Sequence, residues 1–201
     1  AQYGLPYGVR EFGADGVTEI RQTYTDYNLS QAYLDRRIIG LVSYVHVSNV
    51  SQWQSKISID YDDPSRLQAV PAAATRHDTS YSTSFTARGN VTSVSRWDVT
   101  DANNAAKKLT SYTNYYTTGT PIASIDPVGH QSSITYADAF SDGVNRNTFA
   151  YPTTITDHDS FSSTVQYNFD FGAVTRTEDP KGAVQTIIYD TAARTDRLTN
   201  Q

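Results

Sequence analysis

The chain has 201 residues, with 16 Lys and Arg against 21 Asp and Glu, for a net charge of −5 at neutral pH. With 18% charged residues and no basic run longer than two, it lacks the clustered cations that a nucleic-acid binder uses to displace counterions from phosphates. The absence of Cys excludes a disulfide framework and a thiolate zinc site, and no apolar run approaches the roughly 20 residues of a membrane-spanning helix.

Fifteen Tyr in a chain rich in Thr, Ser and Val favour strands, because β-branched and aromatic side chains pack well on a pleated surface. Near the start, Gly13-Ala14-Asp15-Gly16 followed by Tyr24-Thr25-Asp26 is a weak echo of a pattern that becomes clear later in the chain. Ser30 could cap a helix over Gln31–Arg37, but this is only about two turns and Ile38-Ile39 favours a strand, so a helix is not expected. Further along come Tyr61-Asp62 and Gly89-Asn90-Val91-Thr92-Ser93-Val94, each another weak echo of it.

The clear pattern is a repeat. Residues 119–136, GTPIASIDPVGHQSSITY, match residues 172–189, GAVTRTEDPKGAVQTIIY, at a constant offset. Both copies read Gly, six residues, Asp-Pro-x-Gly, six residues, Tyr, so that Gly119, Asp126, Pro127, Gly129 and Tyr136 align with Gly172, Asp179, Pro180, Gly182 and Tyr189. An acidic residue follows each Tyr, as Asp138 after one residue and as Asp190 directly. Upstream, the aromatic run Asn114–Thr118 aligns with Tyr167–Phe171. Asp-Pro-x-Gly carries the preferences of a type I turn: Asp bonds its own backbone, Pro presets φ, and Gly tolerates a positive φ. Each copy is therefore expected to be one β-hairpin, with Ala173–Thr177 and Ala183–Tyr189 as the arms of the second. Neither face of the second arm is fully polar, which suits a unit that buries surface on its neighbours. Between the copies, 140–160 reads as turn-dense, leading into a strand at Thr164–Tyr167.

The stretch from Asp179 to Asn200 resembles the unit of the YD-repeat, or Rhs-repeat, family, with Tyr189, Asp190 and Arg194 at its eponymous positions. Asp126 to Asp138 resembles the same unit with Ala137 inserted. The resemblance is strong over the last 90 residues or so and weak before Gly89. It implies an all-β fold of tandem hairpins in one continuous antiparallel strip, which in bacterial Rhs toxins, insecticidal toxin-complex components and the teneurin ectodomain spirals into a hollow shell. Residues 1–88 are then a degenerate β-repeat region and 89–201 carry the hairpins, with clear units near 114–138 and 167–190. With Ala1 first and no closing cap over Arg194–Gln201, the chain is expected to be an internal piece of a longer array.

The implied role is a non-catalytic structural segment of a secreted or cell-surface protein, part of a β-shell that encloses or displays a cargo. The alternative is a self-assembling fibre, or an adhesion module that presents its Tyr-rich surface to glycans. Expected partners are flanking repeats of the same chain, with self-association through sheet edges or contact with surface glycans as further options. No cofactor, metal or nucleic acid is expected. Residue chemistry points the same way. His46, His77, His130 and His158 are far apart in sequence, and His77-Asp78 and Asp157-His158-Asp159 read as solvated loop polars because strand neighbours point to opposite faces. The acidic cluster Asp60-Tyr61-Asp62-Asp63-Pro64 lacks the Gly and closing Glu of a calcium loop and suits turn capping. A hydrolase using two scattered carboxylates ranks last, since nothing selects one pair from 21 acids.

Overall fold

A computed structural model describes residues 2–49, 52–101, 104, 106–190, 192 and 194–200. Their strands are β1 (Gly8–Phe12), β2 (Glu19–Tyr27), β3 (Val42–Ser48), β4 (Trp53–Tyr61), β5 (Leu67–Gln68), β6 (Val91–Trp97) and β7 (Lys108–Tyr116). They continue as β8 (Pro121–Ile125), β9 (Gln131–Thr135), β10 (Thr154–Thr156), β11 (Ser162–Tyr167), β12 (Val174–Glu178), β13 (Val184–Tyr189) and β14 (Thr195–Asn200). All belong to one sheet whose spatial order is the chain order, every neighbour antiparallel, except that β5 lies off the path and pairs in parallel with β7. The fold is the expected all-β strip of tandem hairpins. Six hairpins follow one another, β1–β2, β3–β4, β6–β7, β8–β9, β10–β11 and β12–β13, and β14 then returns along β13.

Three hairpin tips are built alike. In each, an Asp amide donates to the carbonyl four residues on, and the residue three on donates back to the Asp carbonyl. These are Asp126 with Gly129 and His130, Asp157 with Ser160 and Phe161, and Asp179 with Gly182 and Ala183. One carboxylate oxygen of each Asp also accepts two tip amides, from Val128 and His130, from Asp159 and Phe161, and from Lys181 and Ala183. The fourth tip residue must adopt positive φ, and it does so at +95° in Gly129, +83° in Gly182 and +70° in Ser160.

The sheet is a single layer. On one face, register aligns Val45 with Ile57 and Ile59 with Val94, and further along Ile134 with Ile155. This aliphatic face has no second layer over it among the described residues, and Leu109, Ile155 and Leu198 are about half exposed or more. The other face carries Tyr24, His46 and Lys56 in one cross-strand row, continued by Trp97 and Lys108. His46 stacks between Tyr24 and Trp53, and the Lys56 ammonium sits 4.0 Å from the Trp97 ring centre. Part of this face is covered by residues 62–90. Arg66 from that segment lies over Tyr112, and Ser93 and Ser95 are buried on this side, bonded to Asp60 and Thr110.

A helix does form at Gln31–Leu34, contrary to expectation, although the Ser30 side chain makes no capping bond. What holds it is tertiary. Tyr33, 6% exposed, donates its hydroxyl to Asp62 at 2.8 Å, and Ile38–Leu41 stays outside any strand until β3 begins at Val42.

Ser160 occupies a left-handed position that costs an L-residue about 1 kcal/mol. Ser160→Gly is expected to stabilise the protein by about 0.5 kcal/mol in urea denaturation, part of the relief being offset by the greater unfolded-state freedom of Gly. Gly129→Ala, which meets open space, should lose only the strain of about 1 kcal/mol. Gly172→Ala should lose distinctly more, because its Cβ would collide with the Tyr151 hydroxyl. Equal losses for the two Ala variants would contradict this packing.

Candidate functional site

The residues most insistently reused in this chain form a joint between hairpins. Tyr136, after the second arm of its hairpin, donates its hydroxyl to the carbonyl of Pro121, which opens the first arm, at 2.7 Å. Tyr189 does the same to Val174 at 2.8 Å, and Tyr167 to Pro152 at 2.9 Å, each across 15 residues of chain. The remaining three hairpins repeat it across longer spans: Tyr27 to Pro6, Tyr61 to Val42, and Tyr115 to Val91. All six hairpins are thus closed by a phenol–carbonyl bond at their open end.

Two further features recur at the same place. The residue two before the accepting carbonyl is a glycine with positive φ in five of the six: Gly4, Gly40, Gly89, Gly119 and Gly172. In the sixth it is Ala150, and the neighbouring Phe149 takes the positive φ, at +49°. The ladder to the next hairpin also shifts register at the tyrosine, between Asp26 and Tyr27, Asp60 and Tyr61, Asn114 and Tyr115, Gln166 and Tyr167, and Ile188 and Tyr189. Such a bulge turns the strand and interrupts its ladder, so the phenol reaches a carbonyl that regular pairing would occupy. Burial pushes the hydroxyls of Tyr61, Tyr115, Tyr136 and Tyr167 up from the ordinary tyrosine value, so they stay protonated donors. Several pack on a second ring, Tyr167 stacking on Tyr151 at 4.7 Å and Tyr189 meeting Phe171 edge-on at 5.3 Å.

The residue after the tyrosine closes the connection to the next hairpin. Its amide donates to the carbonyl just before the next strand, from Asn28 to Leu41, Asp62 to Asn90, Tyr116 to Thr120, Asn168 to Ala173 and Asp190 to Arg194. Where it is Asp or Asn, its side chain organises the connection as well. Asp190 accepts the amides of Ala192 and Arg194 and pairs with the Arg194 guanidinium at 2.7 Å. Asp62 accepts the amides of Arg88, Gly89 and Asn90 together with the Tyr33 hydroxyl. Asp138, one residue later in its unit, accepts the amides of Arg146, Thr148 and Phe149 and the Thr148 hydroxyl.

Of the residues singled out in the sequence, Gly119 and Gly172 enter first arms, Asp126-Pro127 with Gly129 and Asp179-Pro180 with Gly182 form tips, and Tyr136 and Tyr189 make joints. Asp138, Asp190 and Arg194 lie in connections. Sequence reasoning did not find the joints of Tyr27, Tyr115 and Tyr167, and met that of Tyr61 only as the weak echo Tyr61-Asp62. Their signal was uneven: a Gly two residues before the accepting carbonyl for Tyr27, Tyr61 and Tyr115, and an Asn or Asp after the tyrosine for Tyr27, Tyr61 and Tyr167. The weak echo at Tyr24-Thr25-Asp26 lies three residues out of register with Tyr27. Two of the scattered histidines do meet: His130 and His158, on adjacent tips, stack at 4.1 Å, beside Asp126 and Asp159 respectively.

The chain is therefore a single-layer strip of tandem hairpins, each locked by a terminal tyrosine. A crystal structure of TcdB2-TccC3 without its hypervariable C-terminal region shares this fold, with a TM-score of 0.54 over 90% of this chain and 9% identity. This chain spans only 11% of that one. A structure of the Photorhabdus luminescens Tc holotoxin pore aligns with 96% of this chain and 11% of its own, at 10% identity and a TM-score of 0.29. No protein-family model and no curated protein matches the sequence.

Removing the hydroxyl of the buried Tyr136 leaves the Pro121 carbonyl without this donor, so Tyr136→Phe is expected to lower stability by about 1 kcal/mol in urea denaturation. Tyr24→Phe, at a residue with no joint, should stay within about 0.5 kcal/mol.

The loop after Tyr136 predicts a pH dependence. Burial raises the Asp138 carboxyl, but the bonds from Thr148, Arg146 and Phe149 outweigh it and hold the group below the ordinary 3.8. A depressed carboxylate contributes stability that is fully present above its unfolded value and is lost as pH falls through the folded one. Melting temperature should therefore fall from about pH 5 downward, and Asp138→Asn should flatten that slope while lowering stability at neutral pH.

Proposed function

We propose that this chain is a wall segment of a YD-repeat (Rhs-type) shell, a non-catalytic part of an extracellular or cell-surface protein that encloses or displays a cargo. The observation that carries this reading is the six-fold reuse of one joint in a strip that grows strand by strand in chain order. Such a strip extends indefinitely by adding hairpins, and the bulge at five of its six hairpin boundaries turns the strand there. The uncovered aliphatic face supports closure, since a single sheet leaves that surface wet until the strip curls around its own interior. The fold shared with TcdB2-TccC3 agrees. Asp62, Asp126, Asp138, Asp157, Asp179 and Asp190 each accept backbone amides and act as struts of the tips and connections.

A second reading follows from the ends of the sheet. Among the described residues β1 pairs only with β2 and β14 only with β13, so both edges present unpaired backbone that could join a further strand of another copy as readily as a flanking repeat.

Cryo-electron microscopy of the chain expressed together with its flanking coding sequence tests both. A closed hollow β-shell with this segment in its wall is expected. Filaments of edge-to-edge copies would establish the second reading, and a compact domain with no lumen would overturn the first.

A further inference from the structure

The longest connection between hairpins, residues 62–90, does more than close a joint. It folds back against the segment after the short helix and against the turn at Thr117–Gly119, and with them lines a cavity of about 540 Å³. That volume suits a small organic ligand. Two guanidiniums line it, Arg36 and Arg88, and among the described residues neither has a carboxylate within salt-bridge distance. With Asp78 the one carboxylate among the described lining residues, two guanidiniums leave the cavity locally positive on a chain of net charge −5.

The two arginines do different work. Arg88 directs its nitrogens at the carbonyls of Phe85, Thr117 and Ser82, tying the segment to the sheet. Its charge is poorly accommodated: burial pushes the guanidinium below its ordinary value, and the Arg36 charge adds to this against the opposing pull of Asp62. Arg36 bonds the Ala87 carbonyl through Nη1 alone, at 2.8 Å, and its central carbon sits over Phe85, 3.4 Å from the ring centre. Among the described residues its Nε and Nη2 donors have no protein acceptor, an arrangement suited to a carboxylate. Around the charged end the lining changes character. The Tyr81 ring is 45% exposed, and Thr118 and Asn90 add neutral hydrogen-bonding groups. Asp78, which also lines the cavity, accepts the amide of Ser80.

We propose that this cavity binds a small hydroxylated carboxylate of the uronic-acid class, its carboxylate on Arg36 and its ring against Tyr81. A bare inorganic anion would satisfy the arginine but leave most of the space and the aromatic surface unused. A neutral sugar would leave the cation unpaired.

Amide chemical-shift titration of the chain with sodium glucuronate, glucose and inorganic phosphate tests this. Glucuronate is expected to shift resonances of residues 77–90 and 117–119 saturably, with glucose and phosphate at least tenfold weaker. Arg36→Gln should weaken glucuronate binding at least tenfold, and Tyr81→Ser, which removes a half-exposed ring that meets Phe85 edge-on at 4.6 Å, several-fold. Absence of saturable shifts overturns the proposal, as does phosphate binding as tightly as glucuronate, which would mark an adventitious ion only. Should Arg36→Gln unfold the segment, unchanged glucuronate affinity in Tyr81→Ser would overturn it instead.

Discussion

A hairpin's open end is its weak point, because there the two arms part towards different neighbours and the ladder between them stops. In this chain the tyrosine closing the second arm reaches across and donates to the carbonyl opening the first, in all six hairpins. The side chain must be aromatic to bury surface at the boundary and must end in a donor to satisfy a carbonyl, and among the common residues tyrosine does both with only two soft torsions. The positive-φ glycine before the acceptor and the register shift at the tyrosine are the backbone counterparts of that bond. One swings the chain into the new arm, and the other turns the old arm out of the ladder.

Much of this was legible in the sequence, and the part that was not has a physical cause. The two copies at 119–136 and 172–189 stand out because both have Asp-Pro-x-Gly tips and equal arms. The repeat interval they suggest is nevertheless two units long. Between them lies a hairpin with the same tip, Asp157 to Ser160, and the same joint, Tyr167 to Pro152, in which Ala150 replaces the entering glycine and Ser160 the tip glycine. Backbone geometry tolerates these exchanges at about a kilocalorie each, whereas a residue pattern does not survive them. The N-terminal hairpins were obscured differently. Their arms are longer, and the connections after Tyr27 and Tyr61 carry long inserts, so no constant offset aligns them.

The histidines show the opposite limit. Sequence alternation separates neighbours only within a strand, whereas His158 sits at a tip and pairs with its neighbour Asp159 at 3.3 Å, and alternation carries no information on which tips meet across the strip. Only the ordering of hairpins β8–β9 and β10–β11 side by side brings His130 onto His158. The short helix at Gln31 is a similar case, since neither its length nor its cap predicts it and the Tyr33–Asp62 contact across the fold supplies what local propensity lacks.

The two borders of the strip are consequently under different constraints. At the tip border the β8–β9, β10–β11 and β12–β13 connections are tight, and an Asp carboxylate holding two amides leaves little room for added residues there. At the joint border, closure needs only the tyrosine bond and one amide–carbonyl bond, from the next residue to the one before the new strand. That pair closes three intervening residues between Tyr116 and Thr120 and a much longer segment between Asp62 and Asn90 in the same way. Loop-closure entropy rises only slowly with length, so an insert there costs the sheet little. New surface can therefore be added at this border without retuning the wall. The cavity under residues 62–90 lies at this border, held by the Asp62 carboxylate and the Arg88 strut.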